Sequence, residues 1–220
     1  MYISFLLNTL LLVVPVAALV MSLSQPAVST LFGTTYETAP LFLALLAVSY
    51  LYTAFGNLST GNLLNSQGQT KLMLKLTLLT TTIGIPMGAI LILQFGVIGL
   101  ITTLLVAGIP SLCIALYWIK KHYGVTVDWF SSAKIVFSSA LSAALTYAII
   151  FQLDFASWIR LLLGTVVFVL ILIPTLLFTR SITRSDISNL SAMIDGLGPI
   201  SALIKRLLNL IEKIMNSLKL

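Results

Sequence analysis

Few residues of this 220-residue chain could do chemistry, and their types exclude most kinds of it. The only histidine, His122, has one nearby carboxylate, Asp128, and Cys113 is the only cysteine. From these no disulfide, metal cluster, redox pair or catalytic triad can be assembled. Cys113 reads as a small core thiol inside an apolar stretch. No glycine-rich phosphate loop occurs, so neither a cofactor nor a metal is implied and an enzymatic role is not expected. What remains is polar but uncharged: Asn8, Asn57, Asn62, the run Thr80-Thr81-Thr82, Thr102, Thr103, Ser138, Ser139, Ser142 and Thr146. Inside a membrane such groups either bridge helices, at about 0.6 kcal/mol each, or line a polar cavity. Relays for protons or ions normally need an ionisable group at mid-membrane, and none of the apolar stretches carries one near its middle.

The elements that must position these groups follow from composition. A charged fraction of 8% and a mean hydropathy of +1.09 are those of a bilayer protein. A helix needs about 20 mostly apolar residues to cross a membrane. Six stretches have that length: Ile3 to Leu23, Leu41 to Leu64, Leu72 to Leu93, Val97 to Ile119, Ala133 to Phe151 and Trp158 to Phe178. They are continuous and Leu-rich rather than alternating, which excludes the strands of a transmembrane barrel. The expected fold is all-α, a six-span bundle over residues 1–180 with a cytoplasmic amphipathic tail over 181–220. The first span lacks a basic flank and exceeds the apolar core of a typical leader, so it reads as a span and not a cleaved signal.

Eleven of the twelve Lys and Arg residues fall in, or within one turn of, three of the segments between or after the spans. Lys71 and Lys75 flank the start of span 3; Lys120, Lys121 and Lys134 lie around the loop between spans 4 and 5; Arg180, Arg184, Lys205, Arg206, Lys213 and Lys219 follow span 6. The intervening loops hold Glu37, the uncharged Gln94-Phe95-Gly96 turn, and Asp154 with Arg160. This alternation predicts a multi-pass protein of the cytoplasmic membrane with both termini cytoplasmic. Tyr117, Trp118, Trp129, Phe130 and Trp158 stand at span ends, where aromatic rings favour the headgroup level. The net charge of +6 is split among short loops, so anionic lipid rather than nucleic acid is the expected partner.

Several spans carry helix-distorting residues. Gly84 and Gly88 place two glycines one turn apart with Pro86 between them, which predicts close backbone approach and a kink. Pro15, Pro110 and Pro174 predict kinks in spans 1, 4 and 6. Pro40 is expected to open span 2, after a short amphipathic segment broken by Gly33. The three-residue turn at Gln94-Phe95-Gly96 makes spans 3 and 4 antiparallel neighbours. In the tail, Ser185-Asp186 can cap a short helix, and a second runs onward from Pro199. Leu203, Ile204, Leu207, Leu208, Ile211, Ile214, Met215 and Leu218 share one face of that helix. Lys205, Arg206, Lys213 and Lys219 share the other, as in an interfacial helix on an anionic leaflet or a partner-docking helix.

The order Leu31-Phe32-Gly33, Tyr36-Glu37 and Ala39, then Gln67-Gly68-Gln69-Thr70-Lys71, then the small-residue and proline centre of span 3, then Phe95-Gly96-Val97-Ile98-Gly99, resembles polysaccharide-biosynthesis (O-antigen-type) flippases. These belong to the multidrug/oligosaccharidyl-lipid/polysaccharide exporter superfamily, and the resemblance covers roughly residues 20 to 120. It implies flipping of a lipid-linked saccharide by alternating access, with these six spans as the last six of a fourteen-span, two-lobed protein. It further implies a missing N-terminal lobe or a second copy as partner. In the family, cavity cations meet the pyrophosphate of the substrate; here that lining is absent. Lys71 and Lys75, where a lipid phosphate would enter, are the remaining candidates, with snorkelling anchors as their other reading. A drug or organic-cation exporter would want an intramembrane carboxylate that this chain lacks. A membrane docking module would instead lose its partner on deletion of residues 199 to 220.

Overall fold

The computed structural model describes residues 2–124, 126, 128–179 and 181, and for residues 2–8 only the backbone. Its elements are α1 (Tyr2–Ser22), α2 (Ser24–Phe32), α3 (Ala39–Leu51) with a 3-10 turn (Tyr52–Phe55), α4 (Asn57–Ser66), α5 (Thr70–Phe95), α6 (Val97–Val106), α7 (Ile109–Tyr123), α8 (Trp129–Phe151) and α9 (Ser157–Phe178). The described chain is helical throughout, without strands. Four helical lengths are long and apolar enough to cross a membrane, with α6 and α7 counted as one, and up to six if each of two bent pairs is a single span.

The bends depart from the simple reading. The expected second span, Leu41 to Leu64, is not one straight helix: α3 with its turn and α4 meet at 58°. Gly56, with φ of 82°, is left-handed there and ends the helical run. α1 and α2 likewise meet at 68°. Pro26, third residue of α2, has no N–H to carry the α1 ladder onward, so the chain turns at Leu23. Pro15, Pro86 and Pro174 lie inside helices that continue past them, and Pro110 stands in the first turn of α7, just after the Ala107-Gly108 break that divides the expected fourth span into α6 and α7. The two bends between separate helices are thus at Leu23 and Gly56. Gly33 ends α2 and Pro40 stands in the first turn of α3, as their residue types dictate.

Two groups of helices pack together. Leu10, Leu11 and Val14 of α1, Ala54 of the 3-10 turn, Ile135 of α8 and Leu176 of α9 form one buried cluster. Leu64 of α4, Leu76 of α5, and Ala115 and Ile119 of α7 form another. Lipid tails are as apolar as leucine, so close packing and interhelical hydrogen bonds must hold the bundle. α8 and α9 are joined by such a seam: Ser138 Oγ lies 3.1 Å from Thr179 Oγ1, and Ser142 Oγ lies 3.3 Å from Thr175 Oγ1. These serines take the bridging role that hydroxyls have inside membranes.

Connectivity and the clusters place the loop charges. The end of α4, the start of α5 and the end of α7 meet in the second cluster, and residues 124–128 lead from there to α8. Lys71, Lys75, Lys120, Lys121 and Lys134 therefore gather at one end, and Glu37, Asp154 and Arg160 at the other. Arg160 is held at its end by Phe155 O, 2.8 Å from its Nε, and by Asp154 at 3.8 Å. Residues 182–220 lie outside the described residues, and with them the expected tail helix and Lys205, Arg206, Lys213 and Lys219.

Asp128 caps α8: its carboxylate accepts from the Ser131 hydroxyl at 2.7 Å and the Ser131 N–H at 3.1 Å. The Ser131 hydroxyl above all, then its N–H, hold this carboxyl below the ordinary value of 3.8, with Lys134 adding a smaller pull. The folded value is depressed, so the stabilisation is full above the ordinary carboxylate value and is lost as pH falls through the lowered one. Asp128→Ala is expected to cost about 1 kcal/mol at pH 7, whereas Asp128→Asn retains most of the cap without the acid dependence. Thermal unfolding of both variants in detergent at pH 7 and pH 3 checks this; equal acid sensitivity of Asn and Asp would refute it.

Candidate functional site

Several polar groups outside the α8–α9 seam converge between α4, α5 and α7. Ser111 of α7 donates to Leu76 O at 2.9 Å, and its oxygen lies 2.7 Å from Thr80 Oγ1. Beside this bridge is a cavity of about 320 Å3, lined by Asn57, Thr60 and Gly61 of α4, Thr77, Thr80 and Thr81 of α5, and Ser111 of α7, over a floor that includes Leu64, Leu76 and Ala115. Thr60 is 3% exposed and its hydroxyl has no hydrogen-bond partner. Ser59, Ser132, Ser139 and Thr146 share this property, and of these buried hydroxyls Thr60 alone belongs to a residue lining the cavity.

A second cavity of about 420 Å3 shares Thr80 and Thr81 and continues along α5 between Gly84, Ile85, Gly88 and Ile92 on one side and Leu100, Thr103, Leu104 and Ala107 on the other. The glycines make this depth. A methyl on Gly84 would stand 3.5 Å from Ala107 Cβ, and one on Gly88 would stand 3.5 Å from Thr103 Cγ2, so the two helices approach to ordinary contact across them. Another cavity, about 450 Å3 between α1 and α3, has an almost wholly apolar lining with Tyr50 at its edge.

α5 is the edge of the bundle: only 11% of its most apolar stretch is buried. The composite groove thus lies beneath a helix that faces outward over most of its surface. Its lining carries no ionisable side chain.

The residues singled out from sequence separate on the structure. Gly84 and Gly88 line the groove, whereas Pro110 stands beyond Gly108 at the start of α7 and is not part of the lining. Lys71 and Lys75 are exposed and absent from both linings. At about 100° per residue they lie roughly 130° around α5 from Thr77, Thr81, Gly84 and Gly88. The two lysines and the polar groove are therefore not brought together. His122 and Asp128 are engaged apart as well: the His122 ring stacks on Trp118 at 4.0 Å, with Nδ1 3.0 Å from Trp118 O, while Asp128 is spent on its cap. Cys113, expected as a core thiol, is exposed on the outer face of α7, because its neighbours Ser111 and Ala115 take the inward positions.

Thr60 and Thr77 are lining residues that sequence reasoning did not single out. Thr60 lies beyond the Gly56 bend within a stretch read as a straight span, so no helical register drawn through Leu41 to Leu64 would place it inward. Comparison with family models, with known proteins and with solved structures finds no match, so the groove is interpreted from its own residues.

Proposed function

We propose that this chain forms a six-span lobe of a larger membrane transporter that flips a lipid-linked saccharide across the cytoplasmic membrane by alternating access. A second lobe or a second copy completes the passage. The observation that carries the reading is the hydroxyl- and amide-lined groove at mid-depth beneath the poorly covered α5. A saccharide offers many hydroxyls and needs many weak donors and acceptors, while its lipid chain remains against apolar helix faces. The basic end, with Lys71, Lys120 and Lys121, is the cytoplasmic one, and those lysines anchor it at the headgroups. A cation exporter would use a carboxylate, and the groove has none.

The test is accessibility from each side. In a Cys113→Ala background, Thr81→Cys is expected to react with a membrane-impermeant maleimide added to either face of sealed vesicles, with protection by the lipid-linked saccharide. Labelling from one face only, or no protection, would overturn alternating access at this groove.

A further inference from the structure

The two cavities that share Thr80 and Thr81 differ in chemistry. Toward the basic end of α5 the polar groups Asn57, Thr60, Thr77 and Ser111 stand among Leu64, Met73, Leu76 and Leu112; toward the other end Ile85, Ile92, Leu100 and Leu104 prevail, with Thr103 the polar residue between them. Polar and apolar parts thus follow one another along a single helix, and from Thr81 to Ile92 the apolar part runs about 16 Å at 1.5 Å per residue. This is the layout of an amphiphile lying parallel to α5, its head near the basic end and its chain directed toward the opposite end. The lining supplies hydroxyls and an amide but no cation, and Lys71 and Lys75 are on another side of the helix. A phosphate buried there would be desolvated without a counter-charge, which is costly, whereas an uncharged polyol can exchange hydrogen bonds with each lining group.

We infer that the groove is a binding site for an uncharged, hydroxyl-headed membrane lipid of the basic-end leaflet, such as a glycosyl diacylglycerol. Its sugar occupies the cavity at Thr60 and Thr77, and one acyl chain lies in the channel past Gly84 and Gly88. The inference rests on the groove assigned to transport above, in which only the sugar of the transported lipid would sit with its phosphates outside, but it concerns equilibrium binding and does not require turnover. Selectivity comes from the absence of charge: the site accepts a neutral head and rejects phospholipids by leaving their phosphate unpaired.

The experiment is photolabelling of the full chain in phosphatidylcholine nanodiscs with a monoglucosyl diacylglycerol that carries a diazirine near the end of one acyl chain. Adducts are expected on the peptides holding Ile85 to Ile92 and Leu100 to Leu104. Unlabelled monoglucosyl diacylglycerol should compete at least tenfold more effectively than phosphatidylglycerol. Thr60→Val with Thr77→Val should lower labelling at least fivefold, while Thr60→Ser, which keeps the hydroxyl, should leave it near the parent level. Equal competition by phosphatidylglycerol, adducts spread evenly over other lipid-facing helices such as α9, or labelling unchanged in the double valine variant would each overturn the inference. One-sided maleimide labelling of Thr81→Cys would defeat the transport reading and leave this result untouched.

Discussion

Gly99→Ala is expected to destabilise the protein by about 1–3 kcal/mol, more for Gly99→Leu, because a side chain at this position has nowhere to go. Gly99 lies in the first turn of α6, and a Cβ built on it overlaps the carbonyl of Leu91 in α5, with Ile92 N 3.0 Å away. Backbone cannot rotate aside as a flexible side chain can, so the hairpin must open. The turn itself adds to the constraint: one residue, Gly96, separates α5 from α6, at φ 58° and ψ −132°, a conformation that side-chain-bearing residues rarely adopt. Gly61→Ala is the control, since a Cβ there meets nothing within 4 Å and alanine is the better helix former. Unfolding in a graded series of denaturing detergent should separate the two variants; a Gly99→Ala protein as stable as the parent would refute the argument.

The same hairpin sets the register of the groove. Thr103 and Ala107 lie opposite Gly88 and Gly84 because Gly99 lets α6 start against the Leu91 carbonyl. A forced opening there widens the channel along its length.

The helices were legible in the sequence because membrane spans announce themselves by length: the ends read for spans 3, 5 and 6 differ by a few residues from those of α5, α8 and α9. The antiparallel α5–α6 pairing followed from a turn too short for anything else. Of the two sharp bends, the one at Gly56 was not legible. At Gly56 the apolar run continues across the break, so hydropathy sees one segment where backbone geometry makes two, whereas the break at Leu23 falls where the first span was read to end and an amphipathic segment to begin. The groove was legible in part. Thr80, Thr81, Gly84 and Gly88 were visible as a polar and small-residue centre of span 3, but Thr60 reaches the cavity only through the bend before it. Lys71 and Lys75 attracted attention as cations, and helical periodicity alone would have placed them away from the threonine and glycine face. Cys113 shows the limit of composition: an uncharged, compact thiol is as content against lipid as in a core, so its residue type does not say which way it faces.

Removing the lysines from the basic end is expected to change which way the α5–α6 hairpin enters the membrane. On the proposed orientation Lys71, Lys75, Lys120 and Lys121 all lie on the cytoplasmic side of the two helical lengths Thr70–Phe95 and Val97–Tyr123. A cation near an anionic leaflet contributes about 1 kcal/mol, so four together supply about 4 kcal/mol of orientational preference, roughly three decades. The Gln94-Phe95-Gly96 turn at the other end has no charge to resist inversion. With Lys71, Lys75, Lys120 and Lys121 changed to Gln and Gln94 to Arg, the bias for this hairpin reverses, although the basic residues after span 6 still hold the C-terminal end. Phe95→Cys in a Cys113→Ala background reports the outcome, since Phe95 is 60% exposed at the turn. In the parent an impermeant maleimide should reach it only from outside the cell. In the five-fold variant outside labelling should fall at least tenfold, with reaction appearing from the cytoplasmic side. Cytoplasmic labelling of the parent would invert the orientation proposed for the whole bundle. Unchanged labelling of the variant would instead mean that packing of α4, α5 and α7 around Leu64, Leu76 and Ile119, rather than charge, decides how the hairpin is threaded.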